Sequence, residues 1–131
     1  MDMKELKKLT QKLRVLYVED EDEVRETTVT FLNHFFDYIE VATNGQEGLE
    51  SFEKGIFDLV ITDLRMPKLS GEELITKIKA HKSETNIIAM SGISGNEGRE
   101  NIKSDFFIIK PADMKDFIAI LTQIVERDVD Q

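Results

Sequence analysis

The stretch Phe57-Asp58-Leu59-Val60-Ile61-Thr62-Asp63 decides the fold. Its centre is continuously apolar and partly β-branched, with no polar alternation. That pattern suits a strand covered on both faces, as in a parallel sheet. The run stops at an acid, Asp63, and Leu64-Arg65-Met66-Pro67 begins a loop. Working outward, the same pattern recurs. Val15-Leu16-Tyr17-Val18 stops at Glu19-Asp20, Asn86 to Met90 stops at Ser91-Gly92, and Phe106 to Ile109 stops at Lys110-Pro111. A further run, Tyr38 to Ala42, carries Glu40 in its middle and reads as an edge strand.

The segments between these runs have helical spacing. Val24, Thr28, Phe31, Leu32 and Phe35 form one stripe, and Leu49 and Phe52 continue a shorter one opened by Asn44-Gly45. Leu74, Ile75 and Ile78 mark another, where Ser70 is placed as N-cap with Glu73 three residues on. The last is opened by Asp113 and carries Phe117, Ile118, Leu121, Ile124 and Val125. The segment between the fourth and fifth runs is weaker. Gly95 and Gly98 would each cost a helix about 1 kcal/mol, so a short or mobile helix is expected there. Strands alternating with helices define a doubly wound, five-stranded parallel α/β sheet in three layers, helices on both faces. In such a sheet ligands bind at the carboxyl ends of the strands.

Composition narrows the chemistry. The chain has 131 residues, 17 Lys plus Arg, 26 Asp plus Glu, a formal charge of −9 and no Cys. Thiol nucleophiles, redox pairs and thiolate metal sites are excluded. His34 and His81 lie far apart and receive no role, so oxygen ligands and a hard cation are favoured for any metal. The negative charge speaks against direct nucleic-acid binding. No apolar run approaches the ~20 residues of a spanning helix, and residues 1–12 carry acids and lysines rather than a signal's apolar core. The expected organisation is a charged helical lead-in over 1–12, one domain over 13–127 and a tail over 128–131, in a cytoplasmic protein without membrane contact.

If the sheet is right, the strand ends bring together Glu19, Asp20 and Asp63, the Ser91 hydroxyl and the Lys110 ammonium. Two like charges ~4 Å apart at an effective dielectric of 20 repel by about 4 kcal/mol, roughly three pKa units. A divalent cation and Lys110 would let the acids remain ionised. Such a constellation suits a phosphoryl group: positive charge and a hydroxyl donor on its oxygens, and a carboxylate in line with phosphorus. Asp63, which ends the central strand, is the best acceptor.

On these residues the chain resembles a two-component response-regulator receiver domain, of the chemotaxis-regulator type. The likeness covers about 13–127 and rests on Val15 to Glu21, Asp58 to Pro67, Ala89 to Gly92 and Phe106 to Pro111. The resemblance implies a flavodoxin-like sheet of strand order 2-1-3-4-5. It further implies Asp63 as phosphoacceptor, and Glu19, Asp20, Asp63 and the Arg65 backbone carbonyl around Mg²⁺. Ser91 and Lys110 would contact phosphoryl oxygens, Lys110-Pro111 would be cis, and Phe107 would take the switch-aromatic position. The phosphoryl would come from a sensor histidine kinase or phosphotransferase. The resulting switch would be presented to an effector or output domain by the segment before the fifth strand, that strand and the last helix. Arg65 and Ile93 would flank the site where autodephosphorylation is tuned. The chain would be a phosphoacceptor regulator rather than an enzyme.

Departures and rivals stand beside this reading. Ser91 and Lys110 are 19 positions apart, slightly short for the family, which puts the shortfall in the weak helix. Gly48 occupies a helical position where alanine is common. A receiver-like interaction module that works without phosphorylation would ignore a beryllofluoride mimic. A phosphohydrolase would need a second Asp where Arg65 stands, and no GxxxxGK[ST] loop is present.

Overall fold

The computed structural model describes residues 1–92 and 102–129, the side chains of 128–129 excepted. The weak helical segment around Gly95 and Gly98, and Ile93, lie outside the described residues. The strands are β1 (Arg14–Val18), β2 (Tyr38–Ala42), β3 (Leu59–Asp63), β4 (Asn86–Ser91) and β5 (Phe106–Ile109). The helices are α1 (Met3–Thr10), α2 (Asp22–Leu32), α3 (Gly45–Lys54), α4 (Gly71–His81) and α5 (Met114–Val129). All strand pairs are parallel, in the order β2-β1-β3-β4-β5.

The apolar runs are continuous because the sheet feeds two cores. Val15, Tyr17, Leu59, Ile61, Ile88 and Met90 point to the side covered by α1, α2 and α5. Their neighbours Leu16, Val18, Val60, Ile87 and Ala89 point to the side covered by α3 and α4. Both sets are almost wholly buried, so alternation is present in direction but not in polarity. Glu40, by contrast, sits on the edge strand β2, where it is half-exposed.

Helix starts follow the local sequence. Asn44 Oδ1 accepts from Glu47 N at 2.9 Å, and Ser70 Oγ accepts from Glu73 N at 3.2 Å. Asp113 Oδ1 accepts from Lys115 N at 3.0 Å as α5 begins. α2 ends at Leu32, earlier than its apolar stripe suggested. Phe35 and Phe36 lie in the turn beyond it yet are buried, because the turn folds back under β1's side of the core. The lead-in is helical and docked. Leu6 of α1 is buried in the core shared by Phe35 and Val125, and Thr10 Oγ1 donates to Phe35 O at 2.7 Å. α5 continues through Val129, so residues 128–129 belong to the helix.

Two glycines are dictated by close approach. A Cβ on Gly71 would lie 2.1 Å from the carbonyl oxygen of Asp63, and one on Gly45 would lie 1.9 Å from that of Leu69. The loop leaving β3 is thus pressed between the starts of α3 and α4. Gly48 has a reason too: an added Cβ would lie 2.9 Å from Val18 Cγ2, so the alanine usual at that position would crowd β1.

Candidate functional site

The chain leaves β1 in one direction, to β2, and later returns on its other side, to β3. That reversal opens a crevice at the carboxyl ends of β1 and β3. Val18 is in register with Thr62, so the next residues out, Glu19 and Asp63, face each other across it. Oxygens of Glu19, Asp20 and Asp63 lie within 4.8 Å of one another. Glu19 is fully buried, and Asp20 and Asp63 are half-buried.

Lys110 enters from the end of β5. Its Nζ lies 2.7 Å from Glu19 Oε1 and 3.2 Å from Asp63 Oδ2. The other Asp63 oxygen, Oδ1, accepts from the backbone N–H of Leu64 at 2.8 Å. The carboxylate is therefore gripped on one side by backbone and turned on the other toward the ammonium. Lys110-Pro111 is cis, as the resemblance implied. Burial lifts the Glu19 carboxyl above its ordinary range, and Asp63's charge adds to this against the hydrogen bond from Lys110. Burial also works against the Lys110 ammonium, but Glu19 and Asp63 outweigh it and its pKa is raised.

Ser91 ends β4, buried, one residue beyond the Met90 that pairs with Asp63. Its carbonyl accepts from Lys110 N at 2.8 Å, which ties the β4 and β5 ends together. Arg65 lies exposed in the loop two residues past Asp63. Phe107 is half-buried in β5 and packs against the α3–α4 core. Glu21, Asp22 and Glu23 are exposed at the start of α2, where acids favour the positive end of a helix.

Reading by residue type passed over Arg25. Its Nη1 donates to the backbone carbonyl of Glu19 at 2.9 Å, and its Nη2 meets Asp22 Oδ1 at 2.5 Å. The available signal was local: an Arg three residues after an Asp on one helix face.

The donor set fits a hard divalent cation. It is all carboxylate, carries three negative charges against one ammonium, and offers no nitrogen or sulfur ligand. Oxygens around an octahedral Mg²⁺ lie up to about 4.2 Å apart, close to the spread seen among these three side chains.

The family model of the response regulator receiver domain matches residues 15–122, and the chain belongs to that family. Regulatory protein VanRB of Enterococcus faecalis is 27% identical over 118 residues, covering 88% of this chain and 53% of that protein. Transcriptional regulatory protein DltR of Streptococcus agalactiae is 30% identical over 110 residues, covering 82% and 49%. The chain thus spans about half the length of these curated relatives. Among solved structures, the N-terminal domain of an uncharacterized protein from Wolinella succinogenes superposes with a TM-score of 0.80 at 29% identity, covering 90% of this chain and 98% of that one. Response regulator protein TrrA of Thermotoga maritima, in complex with Mg(2+)-BeF, gives 0.76 at 28% identity, covering 86% and 98%. The chain is a receiver domain of the two-component response regulators, a family of regulatory phosphoacceptors that signal to output domains. Among the described residues no helix is long and apolar enough to cross a membrane.

Proposed function

We propose that Asp63 is the residue that takes the phosphoryl group, from the phosphohistidine of a sensor histidine kinase or phosphotransferase. The observation that carries this is the Lys110 ammonium held between Glu19 and Asp63, 3.2 Å from the Asp63 oxygen that the backbone leaves available. That oxygen, Oδ2, forms the new O–P bond. The P–N bond to the donor imidazole breaks, and its electron pair returns to the ring nitrogen. Lys110 and the Ser91 hydroxyl would meet equatorial oxygens of the transferring group and offset its charge. Glu19, Asp20, Asp63 and the Arg65 carbonyl would hold Mg²⁺, which when bound supplies positive charge against the phosphoryl oxygens. The same groups account for self-catalysed transfer and autodephosphorylation without a separate catalytic subunit.

The added charge on Asp63 would draw Ser91 toward it and shift Phe107 between outward and inward positions. The surface so biased comprises β5, α5 and the segment that precedes β5, and an effector or output domain would read it. The functional unit is taken as residues 13–127, in the cytoplasm, making no direct contact with nucleic acid. The test is incubation with acetyl phosphate and Mg²⁺, read by intact mass. One phosphoryl adduct that disappears in Asp63→Asn is expected. No adduct, or one indifferent to that substitution, would sink the reading.

A further inference from the structure

Arg25 makes a contact that the sheet itself cannot supply. Glu19 lies just past the end of β1, fully buried. Its N–H is taken by Ala42 O of β2 at 3.0 Å, continuing the ladder on that side. β2 ends at Ala42, and among the described residues no backbone N–H donates to the Glu19 carbonyl. Buried backbone carbonyls are rarely left without a partner. Arg25 Nη1 fills that role at 2.9 Å.

The carbonyl matters because of the peptide unit it belongs to. Glu19 C=O and Asp20 N–H lie in one rigid plane. Fixing the oxygen fixes the orientation of the plane that joins the two acids, and with it the directions in which both side chains leave the backbone. The guanidinium is itself immobilised. Its Nη2 is held by Asp22, the backbone N–H of Arg25 donates to Glu21 O at 2.9 Å, and the side chain is 15% exposed. The Glu19 carboxylate closes the loop from the other side, Oε2 accepting from Glu21 N at 3.3 Å. The turn 19–22 is therefore tied at its carbonyl, at its first carboxylate and at its helix start, with Arg25 common to two of the ties.

We propose that Arg25 is a positioning residue for the acid pair: it holds the Glu19–Asp20 peptide so that both carboxylates face Asp63. The inference rests on the reading that these acids hold a divalent cation. The planar fork suits the task, because it reaches a carbonyl and a carboxylate at once, and an ammonium at the same position has no such fixed geometry.

The experiment compares wild type, Arg25→Ala and Arg25→Lys on the full chain, by calorimetric titration with MgCl₂ and by acetyl phosphate labelling across a Mg²⁺ series. Loss of a group that orients a metal ligand typically weakens binding about 10- to 100-fold, so a shift of about 10-fold is expected for Arg25→Ala. At saturating Mg²⁺ its labelling rate should stay within about two-fold of wild type, the signature of lost ground-state binding. Arg25→Lys should fall between the two, and it carries the test alone if Arg25→Ala does not fold. Unchanged Mg²⁺ affinity in a protein that only melts earlier would overturn the proposal, since that is a purely structural role. Full recovery by lysine would overturn it as well, because charge alone would then suffice. Wild type that binds Mg²⁺ but takes no phosphoryl defeats Asp63 as acceptor while the calorimetry still decides Arg25. Wild type that binds no Mg²⁺ defeats both.

Discussion

The two ends of the same sheet handle charge in opposite ways. At the amino ends of β4 and β5, one acid meets one ammonium. Asp105 Oδ2 accepts from Lys79 Nζ at 2.8 Å and from Ile87 N at 2.9 Å. Lys79 also donates to Ser83 O at 3.1 Å and Thr85 O at 2.7 Å. At the carboxyl ends of β1 and β3, three carboxylates crowd together, and among the described residues one ammonium pairs with two of them, Glu19 and Asp63, of which Glu19 is fully buried. The first arrangement closes a seam. The second leaves negative charge unbalanced where a ligand can complete it, and the fold carries the resulting repulsion in the meantime. A balanced cluster is a structural tie, whereas a crowded one of a single sign is the mark of a site.

The largest way to break this contrast is to remove Lys110. Losing one group that offsets charge in a transition state typically lowers rate by about 100- to 1,000-fold. Lys110→Ala should therefore label with acetyl phosphate at least about 100-fold more slowly than wild type by intact mass. Next is Gly71→Ala. The methyl would need to sit 2.1 Å from the Asp63 carbonyl oxygen, so backbone must shift. A loss of about 3 kcal/mol in urea unfolding is expected, with slower labelling because the displaced backbone carries the acceptor.

The contrast is sharpened by one substitution made at each end. Asp105→Asn weakens a matched tie, and with hydrogen bonds to charged groups worth about 1.5–3 kcal/mol in full, a loss of about 1.5 kcal/mol is expected at this partly exposed pair. Asp63→Asn relieves repulsion, and in EDTA it should raise stability by about 1 kcal/mol while abolishing labelling. Urea unfolding of both variants without divalent ion decides the point, and two changes of the same sign would refute the contrast. The smallest expected effect is in the loop after Asp63. Lys68 holds a φ of 71°, a conformation that is strained by about 1 kcal/mol for side chains other than glycine. Lys68→Gly should melt at the wild-type temperature or slightly above, because relief of that strain is offset by the looser unfolded chain.

Much of this was legible before folding. The continuous runs at 15–18, 59–61, 87–90 and 106–109 called for a sheet buried on both faces, and Glu40 marked the edge. Asn44, Ser70 and Asp113 announced helix starts that the hydrogen bonds bear out. The approach of Glu19, Asp20, Asp63 and Lys110 followed from strand ends that share one edge of a parallel sheet. Other features left no local trace. The apolar spacing carried α2 past Leu32 because Phe35 is buried, but burial there comes from a turn packed under the sheet, not from helix. Residues 1–12 read as a charged lead-in since four lysines and two acids stand among four apolar residues, yet Leu6 and Thr10, both buried, with Leu9 packed alongside, seat α1 on the core. Gly48 read as a weak helical residue, and only the distance to Val18 explains it.

The sequence by itself determined which residues are strands, which ends carry acids, and that Asp63 closes the central run. These are properties of periodicity and of residue type at a run's end, and they need only near neighbours. Tertiary structure alone decided that Lys110 reaches across 91 positions to take Glu19 as well as Asp63, that Arg25 catches the carbonyl the ladder abandons, and that Gly71 must stay bare beneath Asp63. Those are matters of ångströms between segments remote in the chain, set by how helices settle on the sheet, and no local pattern encodes them.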